Sequence, residues 1–312
     1  MSGIEAKKLT KKFGTVTAVN SLSFEIREGE VFGFLGPNGA GKTTTIRMLA
    51  CLMSPTSGSA SVKGFDILKE PIKVREVVGI LTENPSLYER LTAYENMNFF
   101  AQAYGIMDSS KRNKKIKELL DFFGLWERRN EKTGGFSKGM KQKLAIARSL
   151  VHEPEMLFLD EPTAGLDPEA AKEIRDLIGR LSHEERRTVL LCTHHLEDAE
   201  KLADRVMIIN KGKSLVTGTP EELEDKIAGR PRIEIKLARM DDRLVKSVKS
   251  LNHVSKVERK DASLIITAAN PSESTPEIVK AIVRKGGRIV SVSQLRPSLE
   301  DAYLKIIKEE KP

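Results

Sequence analysis

Apolar residues along this chain fall into two kinds of run. Short uninterrupted ones occupy 31–35 (VFGFL), 156–159 (MLFL), 189–192 (VLLC) and 206–209 (VMII), which is how strands buried on both faces read. Longer stretches between them, such as 43–51 and 169–181, carry apolar residues at helical spacing. The alternation predicts a largely parallel sheet sandwiched by helices. Between Lys73 and Phe136 the pattern changes to amphipathic helices, at 93–104 and 111–123, with little strand character. A helical subdomain, about 84–150, is therefore expected inside an α/β core. Breakers at 229–231 close a first domain of residues 1–228. Beyond them, 232–237, 242–251, 254–259, 264–268, 276–284, 289–294 and 299–307 alternate as strand, helix, strand, strand, helix, strand and helix. That order predicts a small ferredoxin-like α+β domain over 229–312.

Composition narrows the setting. Of 312 residues 39% are hydrophobic and 31% charged, and no run of about eighteen apolar residues is present to span a bilayer. Any membrane role would come through a partner. The opening residues MSGIEAKKL lack the layout of a secretory signal, so the expectation is a cytosolic chain. Cys51 and Cys192 are flanked by apolar residues and read as small core residues rather than as a disulfide or metal framework. A net charge of +8 raises nucleic acid as a partner, but the basic residues are spread along the chain. The dense run at 111–117 reads as a solvated helix face, and stacking aromatics are scarce. No nucleic-acid partner is expected.

The chemistry starts at 36–43, GPNGAGKT, directly after the strand at 31–35 and before a helix. This GxxxxGKT spacing lets backbone N–H groups converge on phosphate oxygens at a helix N-terminus. Asn38, Gly39, Ala40, Gly41, Lys42, Thr43 and Thr44 are the candidate nucleotide-binding residues. Lys42 would neutralise the β and γ phosphates, and Thr43 would offer its hydroxyl to Mg2+. The strand at 156–159 ends in Asp160 and Glu161. Asp160 would support the metal, and Glu161 would polarise the attacking water.

The segment 136–142, FSKGMKQ, followed by a helical pattern and then the 156–161 strand, resembles the signature of ABC-family nucleotide-binding domains. The resemblance covers roughly 4–220. It implies an ABC-type P-loop core with an antiparallel β edge, ATP and Mg2+ as cofactors, and ATPase activity. Ser137 and Gly139 match the family's LSGGQ, whereas Lys138 replaces its first glycine and Met140 its glutamine. Phe13 matches the aromatic residue that stacks on adenine, Asp167 the loop that crosses the dimer interface, and His194 the switch histidine at the γ phosphate. His195 beside it reads as polar surface. Glu83 stands where the family has a metal-sensing glutamine, and a carboxylate there still suits magnesium.

The resemblance further implies a head-to-tail dimer in which Ser137 reaches the partner's nucleotide. Two identical chains suffice, since both halves of such a composite site are present. It also implies transmembrane permease subunits and a peripheral place on the inner face of the cell membrane. The tail, 295–304 (LRPSLEDAYL), is similar to extensions of the drug, antibiotic and sodium efflux branch, so export is expected over uptake. A soluble ABC ATPase acting on ribosomes or DNA is the alternative.

Overall fold

The computed structural model describes residues 2–228, 232–268, 270–295 and 299–309. The breakers at 229–231 and residues 296–298 of the tail segment lie outside them. The chain forms two compact units, Met1–Pro220 and Glu221–Pro312.

In the first unit, β1 (Ser2–Phe13) and β2 (Val16–Arg27) form an antiparallel hairpin, and β3 (Val31–Leu35) leads through the glycine loop into α1 (Lys42–Leu49). β4 (Ser57–Val62), β5 (Phe65–Asp66), α2 (Pro71–Val77) and β6 (Val78–Leu81) follow. Next come the helices α3 (Ala93–Ala103), α4 (Ser109–Phe122) and α5 (Lys138–Ser149). The chain then alternates β7 (Met156–Asp160), α6 (Pro168–His183), β8 (Thr188–Thr193), α7 (Leu196–Leu202), β9 (Arg205–Asn210) and β10 (Lys213–Gly218).

Two sheets result. One is antiparallel, in the order β2-β1-β4-β5, and the other has six strands, β10-β9-β3-β8-β7-β6. In the larger sheet only β10 runs against its neighbour. A T-shaped and stacked trio of Phe24, Phe32 and Phe34 lies in the core between the sheets. β3, β7 and β8 have every residue buried, so their apolar runs serve both faces. Because β3, β8 and β7 are parallel neighbours, their carboxyl ends lie side by side. Leu35 pairs with Thr193, and Asp160 with Cys192. Ligand sites in parallel sheets form at that edge.

Three findings modify the sequence reading. The 73–136 stretch contains a parallel strand, β6, on the edge of the main sheet. β1 and β2 are twelve residues each, and their pairing shifts register four times. In β2 buried Leu22, Phe24 and Ile26 alternate with exposed Ser23, Glu25 and Arg27, a period-two signal that a search for uninterrupted apolar runs does not register. Cys51 is half-buried rather than fully core, whereas Cys192 is buried.

The second unit holds α8 (Pro220–Ala228), β11 (Arg232–Leu237), α9 (Asp242–Lys249), β12 (Val254–Lys260), β13 (Ser263–Ala268), α10 (Pro271–Arg284), β14 (Ile289–Leu295) and α11 (Leu299–Glu309). Its antiparallel sheet runs β12-β13-β11-β14, the strand order of a ferredoxin-like βαββαβ unit. Ile233, Ile235, Leu264 and Ile266 pack from the sheet against Leu244, Val248, Ile278 and Ile282 of α9 and α10. Helix α10 starts five residues before the expected Pro276 and contains it. As the sixth helical residue, Pro276 lies beyond the first turn and costs the helix one backbone hydrogen bond.

Candidate functional site

At the carboxyl edge of β3, β7 and β8 a cavity of about 470 Å3 opens, lined by Ala18, residues 37–44, Glu83, Glu161, Ala164 and His194. The loop before α1 is shaped by backbone as much as by side chains. Gly41, the residue before the helix, has φ +106°, and a Cβ there would sit 2.6 Å from the Ala18 carbonyl oxygen. Only glycine serves. The expected residues Asn38, Gly39, Ala40, Gly41, Lys42, Thr43 and Thr44 all line this cavity, with Glu83, Glu161 and His194 facing them.

Lys42 is buried and donates from Nζ to the carbonyls of Gly36 at 2.7 Å and Pro37 at 3.4 Å. It also forms an ion pair with Glu161 Oε1 at 3.2 Å. The other carboxylate oxygen, Oε2, lies 2.9 Å from His194 Nδ1 and accepts from the His194 backbone N–H at 3.3 Å. Glu161 is thus clamped between a lysine and a histidine, and it sits in the left-handed backbone region at φ +52°. A non-glycine residue held there costs on the order of 1–2 kcal/mol, a local strain common where function fixes a side chain. Nothing in the sequence announces that strain.

Asp160 is 1% exposed, and neither carboxylate oxygen accepts a well-formed hydrogen bond. Burial pushes its carboxyl above the usual range. The nearby Thr43 hydroxyl and Lys42 oppose that shift, while Glu161 and Glu83 add to it. A buried acid without partners, beside a hydroxyl and a second carboxylate, is a hard oxygen set of the kind that takes a small divalent cation.

Five expected residues do not line this cavity: the buried Asp160, and Phe13, Ser137, Gly139 and Asp167. Ser137 and Asp167 are exposed N-caps of α5 and α6, accepting from Met140 N at 3.2 Å and Ala170 N at 2.9 Å. They belong together, because a Cβ on Gly139 would meet Ala170 Cβ at 3.1 Å, so the two helix starts abut. Phe13 is 48% exposed, and the Lys11 ammonium stands 5.2 Å from its ring centroid. One aromatic face already carries a cation.

Sequence reading missed the group that supports the site from below. Asp198 of α7, 1% exposed, accepts from Arg175 Nη1 of α6 at 2.9 Å and from the Thr163 hydroxyl. Thr163 lies between Glu161 and Asp167, and Asp198 four residues past His194. A partner 35 residues away in sequence leaves no local signal.

Comparison with known proteins places this geometry. Residues 19–164 match the family described as ABC transporter, and 218–307 match the ATP-binding protein DrrA1-3-like, C-terminal domain. The chain is 33% identical over 305 residues to the linearmycin resistance ATP-binding protein LnrL of Bacillus subtilis, covering 97% of each protein. The chain belongs to the ABC transporter family. This ABC ATP-binding subunit is also 36% identical to the bacitracin transport ATP-binding protein BcrA of Bacillus licheniformis, over 97% of both chains. A dimeric ATP-binding cassette, MJ0796, in a post-hydrolysis state bound to ADP and Pi, superposes with a TM-score of 0.64 at 28% identity. That match spans 69% of this chain and 98% of the cassette. The subunit binds and hydrolyses ATP as the motor component of an ABC transporter, and the comparisons give the ribosome- or DNA-directed alternative no support. Among the described residues no helix is long and apolar enough to cross a membrane.

Proposed function

We propose that two copies of this subunit close on two ATP molecules and drive an exporter, with Glu161 as the base and Ser137 acting on the partner's nucleotide. The observation that carries this is the separation within one chain. The phosphate loop, Glu161 and His194 share one cavity, whereas Ser137 and Asp167 cap two abutting helices and do not line it. A second copy supplies what one cavity lacks. Lys138 beside Ser137 adds a positive charge where the family has glycine, which favours an incoming phosphate.

In the step itself, the γ phosphate draws Lys42 from Glu161, because a polyanion competes for the same ammonium. The freed Glu161 carboxylate takes the proton of the attacking water, and His194 keeps that carboxylate oriented through Nδ1. Thr43, Asp160 and Glu83 are the residues that would hold Mg2+. When bound, it supplies charge neutralisation on the phosphate oxygens. Phe13 would stack its open face on the base. A glutamine at Glu83 removes one anionic oxygen donor, so Glu83→Gln is expected to raise the Mg2+ concentration for half-maximal turnover severalfold. A magnesium titration at saturating ATP checks this, and no shift would remove Glu83 from the metal set.

Coupling to a membrane partner is read from α5. Arg148 near its end donates to the carbonyls of Pro85 and Ser86 at 2.8 and 2.9 Å, two and three residues after Glu83. Its guanidinium also lies 4.5 Å from the Phe100 centroid. Beside it Tyr88 and Phe99, 47% and 49% exposed, meet edge to face at 5.2 Å. The helix that starts at Ser137 is therefore tied at its other end to an exposed aromatic patch, suited to a permease loop. An efflux cargo of the antibiotic class is supported by the names of the full-length relatives. A tagged chain extracted from its native cells in mild detergent is expected to bring down a polytopic membrane protein. The variant Tyr88→Ala with Phe99→Ala should lose it while keeping ATPase activity. Capture of ribosomes in its place would overturn the transporter partner.

A further inference from the structure

His195 has no part in the chemistry above, yet it stands next to it. One ligand atom each from Glu161, His194 and His195 lies within 4.8 Å of the others. The two imidazole rings approach to 4.2 Å between centroids at a tilt of 36°. His195 is exposed and precedes α7, where its backbone N–H donates to Thr193 Oγ1 at 2.9 Å. Among the described residues its ring makes no hydrogen bond. We propose that Glu161, His194 and His195 form a binding site for a zinc-type divalent transition-metal ion that reversibly blocks hydrolysis.

The donor set decides the class of ion. Two imidazole nitrogens and one carboxylate oxygen suit zinc and its neighbours, with the fourth position left to water. Magnesium prefers oxygen alone, and the oxygens available to it here are those of Thr43, Asp160 and Glu83. Bond lengths of about 2.0–2.1 Å to zinc put tetrahedral ligands about 3.4 Å apart. Between Glu161 Oε2 and His194 Nδ1 the present 2.9 Å has to open slightly, so that the metal replaces the shared proton. The remaining gap closes by turning the exposed His195 ring, while the buried Glu161 stays where its backbone holds it.

Such an ion engages the carboxylate that would take the water's proton and the histidine that orients it. Turnover therefore stops without loss of the phosphate loop. This effect rests on the catalytic reading of Glu161, whereas the binding does not.

The test uses the full chain with Co2+ as a visible probe and Zn2+ as competitor. Wild type is expected to show the d–d bands of tetrahedral Co2+, displaced by Zn2+. His195→Ala should weaken binding by roughly tenfold or more, and His195→Cys, which restores a zinc ligand, should recover it. In parallel, ATPase activity is measured in Mg-ATP with free Zn2+ set by a chelator buffer. His195→Ala should keep its basal rate and shift half-inhibition at least about tenfold upward. Bands or inhibition unchanged in His195→Ala would overturn the site, and so would binding without inhibition overturn the block. Failure of the catalytic reading is recognised separately, by a Glu161→Gln variant that still turns over.

Discussion

Glu161→Gln is expected to lower ATP turnover by about 10²–10⁴-fold, the range for loss of a positioned general base, while leaving ATP binding intact or tighter. The direction of the second effect comes from the ion pair at 3.2 Å. In the wild type, a γ phosphate must compete with the Glu161 carboxylate for Lys42. A neutral amide of the same shape gives up that competition yet can still hydrogen-bond His194. ATP should therefore accumulate unhydrolysed and hold two copies together, since its γ phosphate would bridge the loop of one and Ser137 of the other. Single-turnover hydrolysis, with size-exclusion chromatography in ATP and ADP, measures both. Unchanged turnover would show that another group takes the proton. Lost dimerisation with intact binding would argue against the shared site.

Why this residue could be picked from sequence, and others could not, has a physical reason. Phosphate binding is a local problem: a strand, glycines without side chains and a helix start lie within nineteen residues, 31–49. The 36–43 motif therefore carries its own context. Glu161 is legible for the same reason, as the residue after a fully buried strand. The second unit's order was legible from β11, where buried Ile233, Ile235 and Leu237 alternate with more exposed residues, and from β13, which is buried almost throughout. The hairpin β1–β2 was less so in β1, where bulges shift successive side chains off the two-residue period, whereas β2 alternates buried and exposed over 22–27. The left-handed turn at Glu161 and the closeness of Gly139 to Ala170 are also facts of tertiary assembly. His195 illustrates the limit best: read by number it was surface, and only the adjacency of β7 and β8 brings it to Glu161.

The largest expected change in stability lies outside the cavity, at Asp198→Ala. Removing one partner of a buried ion pair typically costs about 3–5 kcal/mol, because the other charge is left desolvated. Arg175 has its side chain 12% exposed, and what would remain is Glu197 at 3.6 Å, a residue 61% exposed that neutralises it poorly. The Thr163 hydroxyl loses its acceptor as well. For a unit of this size each kcal/mol is roughly 2–4 °C in Tm, so a fall of at least about 6 °C is expected by calorimetry. Asp198→Asn retains an acceptor for Thr163 and should cost less. The network also spans the site, since Thr163 follows Glu161 by two residues and Asp198 follows His194 by four. At a temperature where Asp198→Asn remains folded, kcat should therefore drop while the KM for ATP holds, because the phosphate loop is untouched and only the alignment of base and histidine is loosened. If kcat and KM moved together, Asp198 would be stabilising the fold without positioning the chemistry, and the clamp on Glu161 would have to be set by Lys42 and His194 alone.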